Sequence, residues 1–144
     1  MTNGDIVREV ALWMEGRWAE DLSVPALAAK AGYSLHHFSR LFAGVVGMAP
    51  GEYVLRRRLS EAARELAAGK RRVTDVAFDY GFNDLETFTR AFRRVFGRTP
   101  SAARRGVAIT YFEGVRAGLS PSPVASAAPP ELERSPAFLL AGWN

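Results

Sequence analysis

Residues 81–100 read GFNDLETFTRAFRRVFGRTP, and residues 32–50 read GYSLHHFSRLFAGVVGMAP. The two stretches are copies of one pattern. With Arg40 set against Arg90, the pairs Leu35/Leu85, Phe38/Phe88, Ser39/Thr89, Phe42/Phe92, Val45/Val95, Gly47/Gly97 and Pro50/Pro100 all fall fifty residues apart. The turn glycines Gly32 and Gly81 fall forty-nine apart, so the later copy carries one more residue in its turn. Two copies at this period describe a duplicated module, since a solenoid needs three or more repeats to bury a continuous core.

Each copy reads as a helix, a short turn containing glycine, and a second helix, which is the pattern of a helix-turn-helix. In the first copy Ser23 is an expected N-cap for VPALAAKAG, with Pro25 in the first turn where its missing N–H does no harm. Ser34 is the expected cap of the next helix, Leu35 to about Val46, and Tyr33 and Phe38 have the spacing of a hydrophobic staple. Ala28 is small enough to let two helices cross closely, and Gly32 supplies the left-handed turn. Ala77, Gly81 and Asp84 repeat the arrangement, with Thr74 as the candidate cap before DVAFDYG. Upstream, Ile6, Val10, Trp13, Met14 and Trp18 follow helical spacing and predict one amphipathic helix from Asp5 to Trp18.

Between the copies, residues 51–66 (GEYVLRRRLSEAAREL) predict one long helix with Leu55, Leu59, Ala62 and Leu66 on its buried stripe and Gly69 as its stop. Such a helix spans roughly 25 Å, a length suited to holding two reading helices near one turn of DNA apart, roughly 34 Å. It also suits a plain core helix. After Arg105 the character changes. GVAITYFEG could form a short strand, VRAGLSPSPVASAAPP is a linker composition, and ELERSPAFLLAGWN resumes an apolar pattern and stops. The expected fold is all-α: two helix-turn-helix subdomains (residues 1–50 and 69–106), a linker helix (51–68) and an irregular C-terminal tail (107–144).

Composition narrows the function classes. At 144 residues, 48% hydrophobic and 24% charged, the chain is an ordinary globular one. It has no cysteine, which removes disulfides, thiolate metal sites and a thiol nucleophile. No apolar run reaches 18 residues and no basic-then-apolar leader is present, so a cytoplasmic, nucleoid-associated protein without membrane contact is expected. The net charge of +4 conceals an asymmetry: residues 56–105 carry thirteen Lys/Arg against six Asp/Glu, while residues 1–55 carry four against six. A basic surplus of this kind attracts polyanions. A solvated helical face, with arginines paired to Glu61, Glu65 and Asp75, accounts for the charge run equally well.

Helical geometry sorts the two repeat helices into faces. Phe38, Phe42 and Val45 point inward, leaving His36, Ser39, Arg40 and Ala43 outward; Phe88, Phe92 and Val95 leave Glu86, Thr89, Arg90 and Arg93 outward. Each outward set offers an arginine for guanine and a hydroxyl able to donate or accept. Arg93 and Arg94 lie further along, where phosphate contact is expected, and Arg56, Arg57 and Arg72 are candidates to join them. Arg56–Arg58 and Lys70–Arg72 also fit a general electrostatic fringe. His36 and His37 are adjacent and diverge on a helix, and there is no third histidine, so no metal is expected. Glu86 has no catalytic companion; it fits a cytosine acceptor or an offset to the helix dipole.

The segments AGYSLHHFSRLFAGVVGMAPGEYVLRRRLSEAARELAAG and VTDVAFDYGFNDLETFTRAFRRVFGRTPSAARR resemble the DNA-binding region of the AraC/XylS family of bacterial transcription regulators. The resemblance spans residues 4–105 and rests on an F-[ST]-R-x-F core followed by a G-x-x-P end, present twice. It implies seven helices, with one from each subdomain entering consecutive major grooves of a bent, asymmetric site. By position, the family's base-reading residues fall on His36, Ser39 and Arg40, then on Leu85, Glu86, Thr89 and Arg90. Leu85 departs from the polar residue common there and could meet a thymine methyl or pack inward. The C-terminal residues are similar to the opening strand of a gyrase-inhibitor-like effector domain, which would make this chain a fragment or a shortened relative.

The expected function is therefore a sequence-specific double-stranded DNA-binding transcription regulator, a monomer without cofactors, with RNA polymerase as a candidate further partner. The alternative is a non-specific architectural DNA binder acting through its arginine-rich surface. An enzyme is not expected, because no convergent catalytic set is present.

Overall fold

The computed structural model describes residues 2–117, and most of its helices begin where the sequence supplies an oxygen to cap them. Helix α1 (Asn3–Trp13) opens with a reciprocal pair. The Thr2 hydroxyl accepts from the Asp5 N–H, and the Asp5 carboxylate accepts from the Thr2 N–H. This arrangement satisfies two amides that have no partner inside the helix. Ser23 caps α2 (Val24–Ala31), Ser34 caps α3 (Leu35–Val46), Asp84 caps α6 (Leu85–Phe96) and Thr99 caps α7 (Pro100–Arg104). Between them run α4 (Pro50–Ala67) and α5 (Val73–Asp79). A 3₁₀ turn covers Gly114–Ala117.

These elements group into two units. The first holds residues 2–16, Leu22–Leu55 and 114–117, and the second holds Arg17–Asp21 and Arg56–Glu113. In the first, α1, α2 and α3 pack on one another around Val7, Val10, Met14, Leu27, Phe38 and Phe42, all buried. The Phe42 ring meets Tyr53 edge-on at 5.3 Å. In the second, α5, α6 and α7 pack together around Leu59, Leu66, Val76, Phe88 and Phe92. Phe88 lies 5.6 Å from Phe92, which lies 4.7 Å from Phe96. Offset and edge-on aromatic contacts of this kind add to the stabilisation that burial alone provides.

The duplication is visible in the backbone. Tyr33 N–H donates to Ala28 O, and Phe82 N–H donates to Ala77 O, both at 3.0 Å. The extra residue of the second copy is thus Asn83, placed between the turn and the Asp84 cap. One consequence is a different aromatic partner in each copy. Phe82, two residues before its cap, meets Phe88 edge-on at 5.1 Å. Tyr33, one residue before its cap, lies against His37 at 4.7 Å instead, and its hydroxyl donates to Asn3 at 2.6 Å. These two contacts anchor Tyr33 at the entry to α3.

Three expectations are corrected. First, α1 ends at Trp13, the chain turns through Met14–Gly16, and Trp18 is buried within the second unit. Its helical spacing was accidental. Second, Thr74 does not cap α5, because the helix begins one residue before it, at Val73, with Arg72 at the cap position and no side-chain bond there. Third, residues 107–113 are not a strand; none occurs among the described residues. Within this stretch the backbone groups of Phe112 are met by side chains of α4. Phe112 N–H donates to Ser60 Oγ at 2.7 Å, and Phe112 O accepts from Arg57 Nη1 at 2.6 Å. The Arg64 guanidinium lies 4.3 Å over the Tyr111 ring and pairs with Glu113. In the first unit Val115 N–H donates to the Tyr53 hydroxyl at 2.9 Å. The C-terminal segment read as the start of an effector domain lies outside the described residues.

Candidate nucleic-acid interface

The two repeat helices are set into their units by the same register. Phe38, Phe42, Phe88 and Phe92 are fully buried, which fixes the rotation of α3 and α6 about their axes. His36 and Arg40 are thereby exposed, with Ser39 half-buried beside them on α3. Glu86 and Arg90 are exposed in the same way on α6, with Thr89 half-buried. Leu85 is 41% exposed, so the inward-packing alternative is set aside. Ala43 and Arg93 complete the two faces, and both are exposed. Each face thus presents an arginine, and each keeps a hydroxyl partly sheltered at its base.

Local capping holds these faces at their N-terminal ends, where base edges would be approached. Ser34 Oγ accepts from His37 N–H at 3.2 Å, and Asp84 Oδ1 accepts from Thr87 N–H at 2.7 Å. The Thr87 amide holds the Asp84 carboxyl below its ordinary value of 3.8, with Arg90 adding a smaller attraction. A carboxyl lowered on folding contributes stability at pH above its unfolded value, and loses it as pH falls through the folded value. The α6 cap is therefore expected to be intact at neutral pH and to weaken only below about pH 4. An NMR titration of the Asp84 side chain should give a midpoint below 3.8, and Asp84→Asn should raise the acid stability of α6 relative to its neutral-pH value.

The α6 face carries a feature that α3 lacks. Glu86 Oε2 lies 3.7 Å from Arg90 Nη1, four residues on, in the favourable acid-before-base order. Both side chains are mostly exposed, 84% and 67%, so the pair contributes about half a kcal/mol or less to stability. Leu85, Glu86, Thr89, Arg90 and Arg93 together line one open surface concavity.

The arginines expected at phosphates fall into two groups. Arg93 and Arg94 are exposed near the C-terminal end of α6, and Arg56 is half-exposed. Arg72 is 79% exposed and bonds to Asp75 at 3.3 Å. Arg57 is corrected: it is 0% exposed, donates to Glu61 at 2.8 Å as well as to Phe112 O, and lies over the Trp18 ring at 5.5 Å. It cannot reach a phosphate from there. Arg58 is likewise turned inward, donating through Nε to Trp18 O at 3.0 Å. Nor is the 70–72 run a simple fringe, since Arg71 bonds both Glu65 at 3.0 Å and Asp79 at 2.5 Å. The expected pairing of arginines with Glu61, Glu65 and Asp75 is realised by Arg57, Arg71 and Arg72, but nothing in the sequence signalled that Arg57 and Arg58 turn inward.

Among the described residues, no group of three or more His, Cys, Asp or Glu is placed to hold a metal ion. No described helix is long and apolar enough to cross a membrane.

Comparison with known proteins bears on this surface. The helix-turn-helix domain family matches residues 27–106. The right origin-binding protein of Escherichia coli K12 is 41% identical over 116 residues, covering 81% of this chain and 40% of that protein. The regulatory protein SoxS of the same strain is 36% identical over 104 residues, covering 72% of this chain and 97% of SoxS. This chain thus spans about 40% of the length of the first of these relatives and nearly all of the second. Among solved structures, the DNA-binding domain of AdpA in complex with a target DNA superposes with a TM-score of 0.65 at 32% identity, covering 69% of this chain and 89% of that one. An AraC-type regulator from Chromobacterium violaceum gives 0.65 at 28% identity, covering 70% and 90%.

Proposed function

This chain belongs to the AraC/XylS family of helix-turn-helix regulators, and on that premise we propose that it binds double-stranded DNA sequence-specifically to regulate transcription. In this reading α3 and α6 each enter a major groove, the two grooves are consecutive, and the site is asymmetric because the two exposed faces differ. The observation that carries it is the shared register of α3 and α6. Two faces built on the same buried phenylalanines present different side chains at equivalent positions, which is what reading two unlike blocks requires. His36, Ser39 and Arg40 would contact bases in one block, and Leu85, Glu86, Thr89 and Arg90 in the other. Arg56, Arg72, Arg93 and Arg94 would meet phosphates, which position the protein without selecting sequence.

One chain with two reading helices needs no dimer to span two grooves, so a monomer is proposed, in the cytoplasm at the nucleoid. RNA polymerase would be a second partner. The function is one of binding, in keeping with relatives named as regulators rather than enzymes.

The experiment is selection of binding sites from a random duplex library at near-physiological salt, followed by salt titrations on the selected duplex and a scrambled one. The expected result is a two-block motif with blocks about one helical turn apart, bound at least a thousandfold (~10³) more tightly than the control. No enrichment, with both duplexes weakening equally as salt rises, would instead establish the non-specific architectural reading. Single changes separate the two kinds of arginine. Arg40→Ala should cost about 1–3 kcal/mol on the selected duplex and relax one position of the motif. Arg93→Ala should weaken all duplexes alike and flatten the salt slope by about one unit.

A further inference from the structure

The exposed α6 face contains an acid where the α3 face has His36. A carboxylate turned toward DNA is repelled by phosphate, so its place on a reading face calls for a partner that donates. The Glu86–Arg90 geometry supplies the rest. The two heads lie 3.7 Å apart on adjacent turns of one helix and are both accessible, so they can be aimed at one patch of a groove. In the major groove, guanine shows two acceptors, N7 and O6, and its cytosine partner shows one donor, the N4 amino group. A guanidinium beside a carboxylate matches that edge in order and in sign.

We propose that Glu86 and Arg90 act as one composite reader of a single G·C pair in the block bound by α6, Arg90 donating to guanine while Glu86 accepts from the cytosine amino group. The inference rests on the DNA-binding reading above and names the base pair selected. Off the cognate site the two side chains remain paired with each other. The pair then has no net charge, so Arg90 adds little attraction to an arbitrary duplex. On the cognate pair both heads exchange each other for base partners. At a C·G or A·T pair Glu86 faces an acceptor, guanine O6/N7 or thymine O4, and the carboxylate is left desolvated and unmatched, while at T·A adenine N6 offers it a donor but Arg90 finds only thymine O4 in place of the two guanine acceptors. Glu86 therefore serves selectivity by penalty as well as by contact, the second of the two routes to discrimination. On α3 no acid stands four residues before Arg40, where His36 lies, so this device is confined to one block.

The test compares the full chain with Glu86→Gln and Glu86→Ala in the same library selection. Wild type should show one strongly enriched G·C position in one block. Glu86→Gln should lose about tenfold of that preference and admit A·T there, because an amide can pair with adenine N6 and N7. Glu86→Ala should lose the preference and gain no new one. Both should bind a scrambled duplex more tightly than wild type does, with a steeper salt slope, because Arg90 is released. A thermal melt monitors folding, and the exposure of Glu86 predicts little change. If both variants select the wild-type motif unaltered, Glu86 serves only the helix terminus and the composite reader is wrong. If wild type itself selects no motif, the DNA-reading proposal fails first and takes this one with it.

Discussion

Replacing Arg57 by alanine is expected to lower stability by about 3 kcal/mol, and to leave the salt dependence of DNA binding unchanged. The guanidinium is completely buried, and its removal takes a donor from two acceptors at once. Phe112 O loses its 2.6 Å donor, and Glu61 loses the nearer of two arginines, keeping Arg64 at 3.2 Å. That remaining ion pair, with partial exposure of Glu61, places the loss toward the lower end of the range for broken buried pairs. For a unit of this size the melting temperature should fall by roughly 15 °C. The control is Arg72→Ala. Arg72 is exposed, so its loss should move stability by about half a kcal/mol or less, while a phosphate contact there would flatten the salt slope by about 0.9. An unchanged melt with a flattened slope for Arg57→Ala would restore Arg57 to the DNA surface.

Arg57 also marks where sequence reading stops. The repeat, the caps at Ser23, Ser34 and Asp84, and the faces of α3 and α6 were legible because each depends on residues within a turn or two of one another. The 3.6-residue period fixes which side of α6 carries Thr89 and Arg90 once Phe88 and Phe92 are known to be buried. Arg57 could not be read this way. Its neighbours Arg56 and Arg58 give it the look of a basic surface run, and its partner carbonyl is fifty-five residues away. The same holds for residues 107–113, whose composition suggests a short strand. Phe112 bonds Ser60 and Arg57 of α4, and Val107 N–H bonds Ala102 O, with no other strand involved, and nothing local announces that. Spacing alone places Trp18 in α1. Its burial with the second unit depends on Arg57 and Arg58, which are distant in sequence.

The sharpest difference between the two repeats is at their turn glycines, and it predicts unequal costs for the same substitution. Gly32 and Gly81 have almost the same backbone, with φ of +83° and +91°, and both amides bond back into the preceding helix. An alanine at either position incurs the left-handed penalty, about 1–2 kcal/mol, partly offset by the reduced freedom of the unfolded chain. At Gly32 nothing lies within 4 Å of an added Cβ, so that is the whole cost and a net loss of about 1 kcal/mol is expected. At Gly81 the Cβ would stand 2.7 Å from Trp18 O and 3.2 Å from Arg58 Cζ. The carbonyl cannot move away freely, because Arg58 Nε is bonded to it at 3.0 Å. Relieving the clash means shifting backbone or breaking that bond, so Gly81→Ala should lose about 3 kcal/mol in all. Denaturant melts of the two variants read the difference directly. The gap of about 2 kcal/mol isolates the close approach from the turn conformation common to both glycines. Adding Arg58→Ala should narrow that gap if the arginine pins the carbonyl, and equal losses in the two glycine variants would show that the Trp18 segment yields without cost.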